Sequence, residues 1–307
     1  MTPLNTGDPE SIGGYTLLGR LGAGGMGVVY LGVSDSGRQV AVKLVRGSYA
    51  REEEFRTRFR QEIAAARRVS GAFTAPVVDA DPDADLPWMA TLHVPGPTLA
   101  EVVEKDGPLG GRELRTLGLG LAEALREIHR AGLVHRDLKP GNVLMTEDGP
   151  RVIDFGISRA SDHQSLTVTG RIIGTPPFMS PEQLASPRDV TPSSDVFSLG
   201  SLMVFAAVGA GPFDADSPYM TGYQVLHEPP DLSGVPAPLR DVVERCLDKD
   251  PDARPDLADL HRALRALPES GTAAARRTPG AATLPRAGGP AKPRPRPGSW
   301  GTATAAG

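Results

Sequence analysis

A single cysteine, Cys246, leaves this 307-residue chain without an internal disulfide, which fits a reducing cytosol. That cysteine and six histidines form no grouping that reads as a zinc site. Long apolar runs are also missing. The most apolar stretch, Leu199 to Val208, lies near Gly209 and Pro212. It falls short of the roughly 20 apolar residues a membrane span requires and reads as a buried helix. Met1 to Gly14 is polar and lacks the apolar core of a signal peptide. The expectation is a soluble cytoplasmic protein.

The charge is uneven. Of 33 basic and 37 acidic residues, seven basic and one acidic fall from Arg265 onward, so the preceding chain holds 26 basic against 36 acidic. Ala273 to Gly307 is dense in Ala, Gly, Pro, Ser and Thr and contains Pro293-Arg-Pro-Arg-Pro297. Such a segment buries too little apolar surface to fold and is expected to be disordered. A basic tail can touch acidic lipid, nucleic acid or an acidic protein surface, but a solubilising linker is the preferred reading. Over the whole chain, 39% hydrophobic residues are ordinary for a globular protein with a sizeable core.

His135-Arg-Asp-Leu-Lys-Pro-Gly-Asn142, followed by Asp154-Phe-Gly156, is the most informative feature of the chain. It gathers a proton acceptor, a lysine suited to phosphate and two oxygen ligands for a divalent metal. Val143 to Met145 and Arg151 to Ile153 read as short strands around a turn centred on Asp148-Gly149. Such a hairpin brings Asn142 opposite Asp154, where an amide oxygen and a carboxylate can share a metal ion. Asp137 then lies one loop away, placed to hold a substrate hydroxyl against a nucleotide phosphate. That is machinery for phosphoryl transfer.

Upstream, Leu21-Gly-Ala-Gly24-Gly-Met-Gly27-Val-Val29 separates two strand-like runs, Tyr15 to Arg20 and Val28 to Val33. A dinucleotide-binding loop would run from a strand into a helix, and Val-Val-Tyr-Leu does not begin one. A glycine-rich hairpin flap suits the chain better, because backbone without Cβ atoms can approach phosphate oxygens. Val40-Ala-Val-Lys43 reads as a third strand. Arg51 to Val69 reads as a helix whose apolar face carries Phe59, Ile63 and Ala66. Glu62 projects near that inward stripe and needs a cation, for which Lys43 is the candidate. Glu52, Glu53 and Glu54 suit a solvated first turn.

With these motifs in order, the chain resembles a eukaryotic-type (Hanks-type) serine/threonine protein kinase, bacterial members most of all. The resemblance covers residues 13 to 266. It takes in Gly174-Thr-Pro-Pro-Phe-Met-Ser-Pro-Glu182, Asp195-Val-Phe-Ser-Leu-Gly200 and Cys246-Leu-Asp-Lys-Asp-Pro-Asp-Ala-Arg254-Pro. It implies an α+β, bilobal protein kinase-like fold, with a small β-rich N-lobe (13–94) and a larger, mainly helical C-lobe (95–266). An N-terminal extension (1–12) precedes these lobes, and the disordered Pro/Ala/Gly-rich tail (267–307) follows. The implied activity is ATP-dependent phosphorylation of serine and threonine hydroxyls in proteins, with activation by autophosphorylation and a role in signal transduction.

The resemblance also implies a role for each matching residue. Leu21, Gly22, Ala23, Gly24, Gly25, Met26 and Gly27 would cover the nucleotide. Lys43, paired with Glu62, would contact its α- and β-phosphates. Asp137 would accept or orient the hydroxyl proton, and Lys139 would neutralise the transferred phosphoryl group. Asn142 and Asp154 would hold Mg²⁺, with Mn²⁺ as a substitute. Thr91 would be the gatekeeper of the adenine pocket, with the backbone of Leu92 and Val94 on the adenine edge. Val29, Ala41 and Leu144 would lie around the ring, though these residues equally suit an ordinary core. Lys139 and Thr175 follow the serine/threonine pattern, and Thr175 would hydrogen-bond near Asp137. Arg136 implies control by phosphorylation of the segment 157–174. Thr167 and Thr169 are the favoured sites there, in a stretch where hydroxyls are common. Asp195 would anchor the catalytic loop, Glu182 and Arg254 would pair in the C-lobe, and Cys246 would be a buried thiol.

Two departures from the family pattern stand out. Ser70-Gly-Ala-Phe-Thr-Ala-Pro76 replaces the usual His-Pro after the regulatory helix, ahead of an acidic turn at Asp79 to Asp85. Ser180-Pro181-Glu182 stands where Ala-Pro-Glu is usual. A pseudokinase scaffold is the alternative, but it would need a lesion at Lys43, Asp137, Asn142 or Asp154, and none is present. Expected partners are protein substrates and a transient homodimer for trans-autophosphorylation. No specific nucleic acid is expected, and tail contact with membrane is disfavoured. In related bacterial kinases a similar linker often leads to a transmembrane helix or sensor domain, and a missing sensor is compatible with this chain.

Overall fold

Gly27 to Val33 and Gln39 to Val45 are apolar, β-branched-rich runs whose extended backbone sends successive side chains to opposite faces. The computed structural model, which describes residues 1–69, 71–154 and 176–268, pairs them in an antiparallel sheet. In chain order its strands are β1 (Ser11–Ile12), β2 (Tyr15–Ala23), β3 (Gly27–Val33), β4 (Gln39–Val45), β5 (Val77–Asp81) and β6 (Trp88–Leu92). They lie side by side as β1-β2-β3-β4-β6-β5. One face buries Tyr30, Val40, Val42, Trp88 and Ala90 together. The register sets Val29 opposite Lys43 and Ala41 opposite Thr91, so these four side chains share the other face. All four are only partly buried. This part of the face is left accessible.

Residues 47–66 form two helices, α1 (Gly47–Ala50) and α2 (Glu53–Ala66), where the sequence suggests one over 51–69. Phe55, Phe59, Ile63 and Ala66 bury the inner stripe of α2. Arg56 secures its outer side, donating to the carbonyls of Ala50 (2.6 Å), Pro82 (3.3 Å), Ala84 (2.9 Å) and Asp85 (3.1 Å). Arg60 pairs with Asp83 at 2.7 Å. The acidic turn between β5 and β6 therefore clamps α2.

The larger part of the fold contains α3 (Leu99–Asp106), α4 (Gly111–Arg130), the hairpin β7 (Val143–Thr146) and β8 (Gly149–Val152), then α5 (Pro181–Ala185), α6 (Pro192–Val208), α7 (Pro218–His227), α8 (Ala237–Cys246) and α9 (Leu257–Arg265). Leu117, Leu121, Leu125 and Ile128 recur on one face of α4 and are fully buried, each worth about 1.5–3 kcal/mol. Helix α6 is buried along nearly its whole length and ends at Gly209, whose φ of 83° suits a residue without Cβ. The variant segment after α2 is bonded to β8: the Val152 amide donates to Phe73 O (2.8 Å) and the Ala75 amide to Val152 O (3.2 Å). No helix among the described residues is long and apolar enough to cross a membrane.

Candidate active site

The segment His135 to Asn142 connects α4 to β7, and a buried carboxylate holds its start. Asp195, at the first turn of α6, accepts from the amides of His135 (2.8 Å) and Arg136 (2.9 Å) and bonds His129 Nε2 (2.7 Å). Arg136 sits at φ 64°, a left-handed conformation unfavourable for a side-chain-bearing residue. Gln183 Nε2 donates to its carbonyl at 2.7 Å. His135 is fully buried, and burial pushes its imidazole below the ordinary value. Its Nδ1 accepts from the Asp137 amide at 3.2 Å.

The next residues gather around the Asp137 carboxylate. Its Oδ2 accepts from Lys139 Nζ (2.8 Å) and Asn142 Nδ2 (3.1 Å), and Asn142 Nδ2 also donates to the Asp137 carbonyl (2.8 Å). With its amide hydrogens turned to Asp137, Asn142 keeps Oδ1 as an acceptor for a cation. The β7–β8 register pairs Val143 with Val152 and Thr146 with Gly149. Asn142 therefore faces Ile153, whose amide donates to its carbonyl at 3.0 Å. This corrects the expected Asn142–Asp154 alignment by one residue, because the turn centres between Glu147 and Asp148. Asp154 follows at φ 55°, with its side chain partly exposed.

Lys43 Nζ lies 3.6 Å from Asp154 Oδ1. The expected Lys43–Glu62 ion pair is not formed within 4 Å, which corrects the sequence reading. Glu62 is mostly buried, and its Oε2 has no hydrogen-bond partner among the described residues. Burial pushes its carboxyl up to about 7, against the opposing fields of Arg136, Lys43 and Arg58. The amino acid sequence supplies two carboxylates for one lysine, and the position of α2 decides between them.

At the glycine-rich turn, the Gly24 amide donates to Gly27 O (2.9 Å) and the Arg46 amide to Met26 O (2.8 Å). A Cβ on Gly22, Gly24 or Gly25 would meet nothing within 4 Å, whereas one on Gly27 would lie 2.1 Å from Leu44 O. Leu21 and Ala23 are exposed. Val29, Ala41, Lys43 and Thr91 line the open sheet face, with Leu92 at its rim and Val94 just beyond. Leu144 is half-buried on β7, where it bridges Thr98. In the larger lobe Arg254 and Glu182 form a two-pronged pair, at 2.7 and 2.9 Å. Cys246 is buried and its thiol is pushed up to about 12. Phe155, Gly156, Thr167, Thr169 and Thr175 lie outside the described residues. Two arrangements escaped the sequence reading: the Arg56 clamp and a cluster of Asp8, Arg20 and Tyr30 at the base of the glycine-rich hairpin. Neither follows a periodic pattern.

Comparison with known proteins identifies the family. Residues 15–264 match the protein kinase domain. The chain is 54% identical over 257 residues to the serine/threonine-protein kinase AfsK of Streptomyces coelicolor, covering 84% of this chain and 32% of that protein. It is 52% identical over 258 residues to a probable serine/threonine-protein kinase, PkwA, of Thermomonospora curvata, covering 84% and 35%. The chain thus spans about a third of the length of these relatives. The crystal structure of the Mycobacterium tuberculosis PknI kinase domain superposes with a TM-score of 0.66 at 27% identity, covering 86% of this chain and 99% of that one. The chain belongs to the protein kinase family, as a Hanks-type serine/threonine kinase of the bacterial kind, a family that uses ATP with divalent metal ions.

Proposed function

We propose that the chain transfers the γ-phosphate of ATP to serine and threonine hydroxyls of protein substrates. The observation that carries this reading is the convergence of Asp137, Lys139 and Asn142 within hydrogen-bond distance, beside a Lys43–Asp154 pair on the open sheet face. The Asp137 carboxylate accepts or orients the hydroxyl proton of the substrate. Lys139, already bound to that carboxylate, faces the phosphoryl group and offsets its charge. Lys43 reaches the α- and β-phosphates, and Asn142 Oδ1 with the Asp154 carboxylate offers two hard oxygen donors suited to Mg²⁺. When bound, that ion supplies charge neutralisation on the phosphate oxygens. The protein's share of the work is positioning and electrostatics.

Glu62, whose Oε2 has no hydrogen-bond partner among the described residues, gives a route to regulation. When α2 moves toward β4, Glu62 can take Lys43 from Asp154, which leaves the aspartate to the metal. Phosphorylation at Thr167 or Thr169, read by Arg136, would favour that exchange. Autophosphorylation within a transient homodimer would supply the phosphate. An ATP-consuming site belongs where ATP is made, so the proposed location is the cytoplasm. The kinase lobes are assigned to residues 13–266, Lys43, Asp137, Lys139 and Glu62 to catalysis, and Thr91, Leu92, Val94, Val29, Ala41 and Leu144 to adenine.

Incubation with Mg²⁺ and γ-labelled ATP, beside an Asp137→Asn control, tests this reading. Label on Thr167 or Thr169 that disappears in the control supports a loop-regulated kinase. Intact nucleotide binding without label on the protein itself or on generic substrates would instead favour a scaffold.

A further inference from the structure

The glycine-rich hairpin is tied at its base by a residue outside the matched kinase domain, which begins at residue 15. Arg20 on β2 and Tyr30 on β3 are register partners, and the next pair inward is Gly22 with Val29. Leu21 is therefore the extra residue of a bulge, a feature that bends a strand and redirects its side chains. Asp8 spans the two residues that close this base. Its Oδ1 accepts from Arg20 Nη2 (2.6 Å) and the Tyr30 hydroxyl (2.7 Å), while Oδ2 accepts from Arg20 Nε (2.7 Å) and the Asn5 amide (2.7 Å). The carboxylate is only 5% exposed. Thr2 adds two backbone hydrogen bonds to Arg20, at 2.9 and 2.8 Å.

Gly22, Gly24 and Gly25 have open space around them; among the described residues the turn is held by the register pairs Gly22–Val29, Ala23–Val28 and Gly27–Val45, by one hydrogen bond across it and by one from Arg46. The bulge lies just outside these pairs, so its geometry sets the direction in which the paired arms carry the turn over the sheet. A two-pronged guanidinium–carboxylate contact fixes direction as well as distance. The two strands are already paired, so a third tie across them adds orientation at the bulge more than it adds connection.

We propose that Asp8 is a positioning residue for the nucleotide. By joining Arg20 to Tyr30 it fixes the bulge at Leu21, and with it the placement of the Gly22–Gly27 turn over the phosphates. The proposal rests on reading that turn as the nucleotide flap. Hydrogen bonds from Arg20 hold the Asp8 carboxyl well below the usual carboxylate range, so the tie remains charged throughout the neutral range.

The test uses the whole chain with Asp8→Asn, Tyr30→Phe and, as a control on the same segment, the exposed Glu10→Gln. Binding of a fluorescent ADP analogue, KM for ATP, kcat, KM for a peptide substrate and Tm are measured for each. The share of the tie that reaches the flap, comparable to one ordinary hydrogen bond, corresponds to a weakening of nucleotide binding by roughly three- to tenfold. Asp8→Asn should raise ATP KM and the analogue's Kd together, while kcat at saturating ATP and peptide KM stay unchanged. Tyr30→Phe, which keeps the ring's packing, should shift the same two quantities by less, and it decides the matter if Asp8→Asn does not fold. Unchanged nucleotide affinity in folded variants, or a loss confined to kcat, overturns the proposal and leaves Asp8 a purely structural residue. An equal shift in Glu10→Gln overturns it as well. Wild-type protein that binds no nucleotide would overturn the reading of the site, which separates that failure from the failure of the tie.

Discussion

The Lys43 ammonium sits 3.6 Å from Asp154 Oδ1, which leaves Glu62 on α2 as a buried carboxylate without that lysine. Burial raises the Glu62 carboxyl from 4.5 to about 7. Between those values the folded protein holds a proton that the unfolded chain has released. Stability should therefore fall as pH rises through this window, by about 3 kcal/mol, and then level off. Glu62→Gln should remove that dependence and be the more stable protein near neutrality. Urea unfolding of both from about pH 5 to pH 8 measures the difference. A constant gap between them would show that Glu62 is not the titrating group.

The sequence made the strands and the catalytic loop legible through local pattern. The β-prone runs Val28 to Leu31 and Val40 to Lys43 marked strands, and Phe59, Ile63 and Ala66 marked the inner face of α2. The residues from Asp137 to Asn142 are so near one another in the chain that their meeting was already implied. What was not legible depends on distance or on competition. Arg56 reaches backbone carbonyls 26 to 29 residues away, and carbonyls carry no residue identity to read. Asp8 meets Arg20 and Tyr30 only because residues 1–12 return along β2. The partner of Lys43 was a contest between two carboxylates, which the docking of α2 decides.

Gly22 and Gly27 look alike in the motif and differ in their surroundings. A methyl on Gly27 would lie 2.1 Å from the Leu44 carbonyl oxygen, forcing β3 away from β4. Gly27→Ala should cost about 1–3 kcal/mol of stability. Gly22→Ala has open space and should leave stability within about 0.5 kcal/mol, while the methyl group raises ATP KM by standing between backbone and phosphate. Denaturant unfolding and steady-state kinetics on the two variants check both halves. The opposite assignment of stability and KM effects would contradict this geometry.

Glu182 and Arg254 connect α5 to the segment before α9, away from any role in proton transfer. The Arg254 side chain is 0% exposed and that of Glu182 11%. Arg254 also donates to the carbonyls of Asp248 (2.8 Å) and Ser193 (2.9 Å), and Ser194 donates to Glu182 at 2.5 Å. Removing either partner leaves a buried charge uncompensated, so Arg254→Met or Glu182→Gln should lower stability by about 3–5 kcal/mol. Burial raises the Glu182 carboxyl, but the hydrogen bonds from Arg254 and Ser194 outweigh it and leave the group lowered. Its contribution is therefore present above the ordinary carboxylate value and lost as pH falls below it. The deficit of Glu182→Gln relative to wild type should be largest near neutrality and shrink in acid. Arg254→Lys keeps the charge but not the two-pronged fork, and should recover little. Because the pair acts on folding, ATP KM of the remaining folded protein should match wild type. A raised KM with unchanged stability would instead place the pair in the nucleotide site.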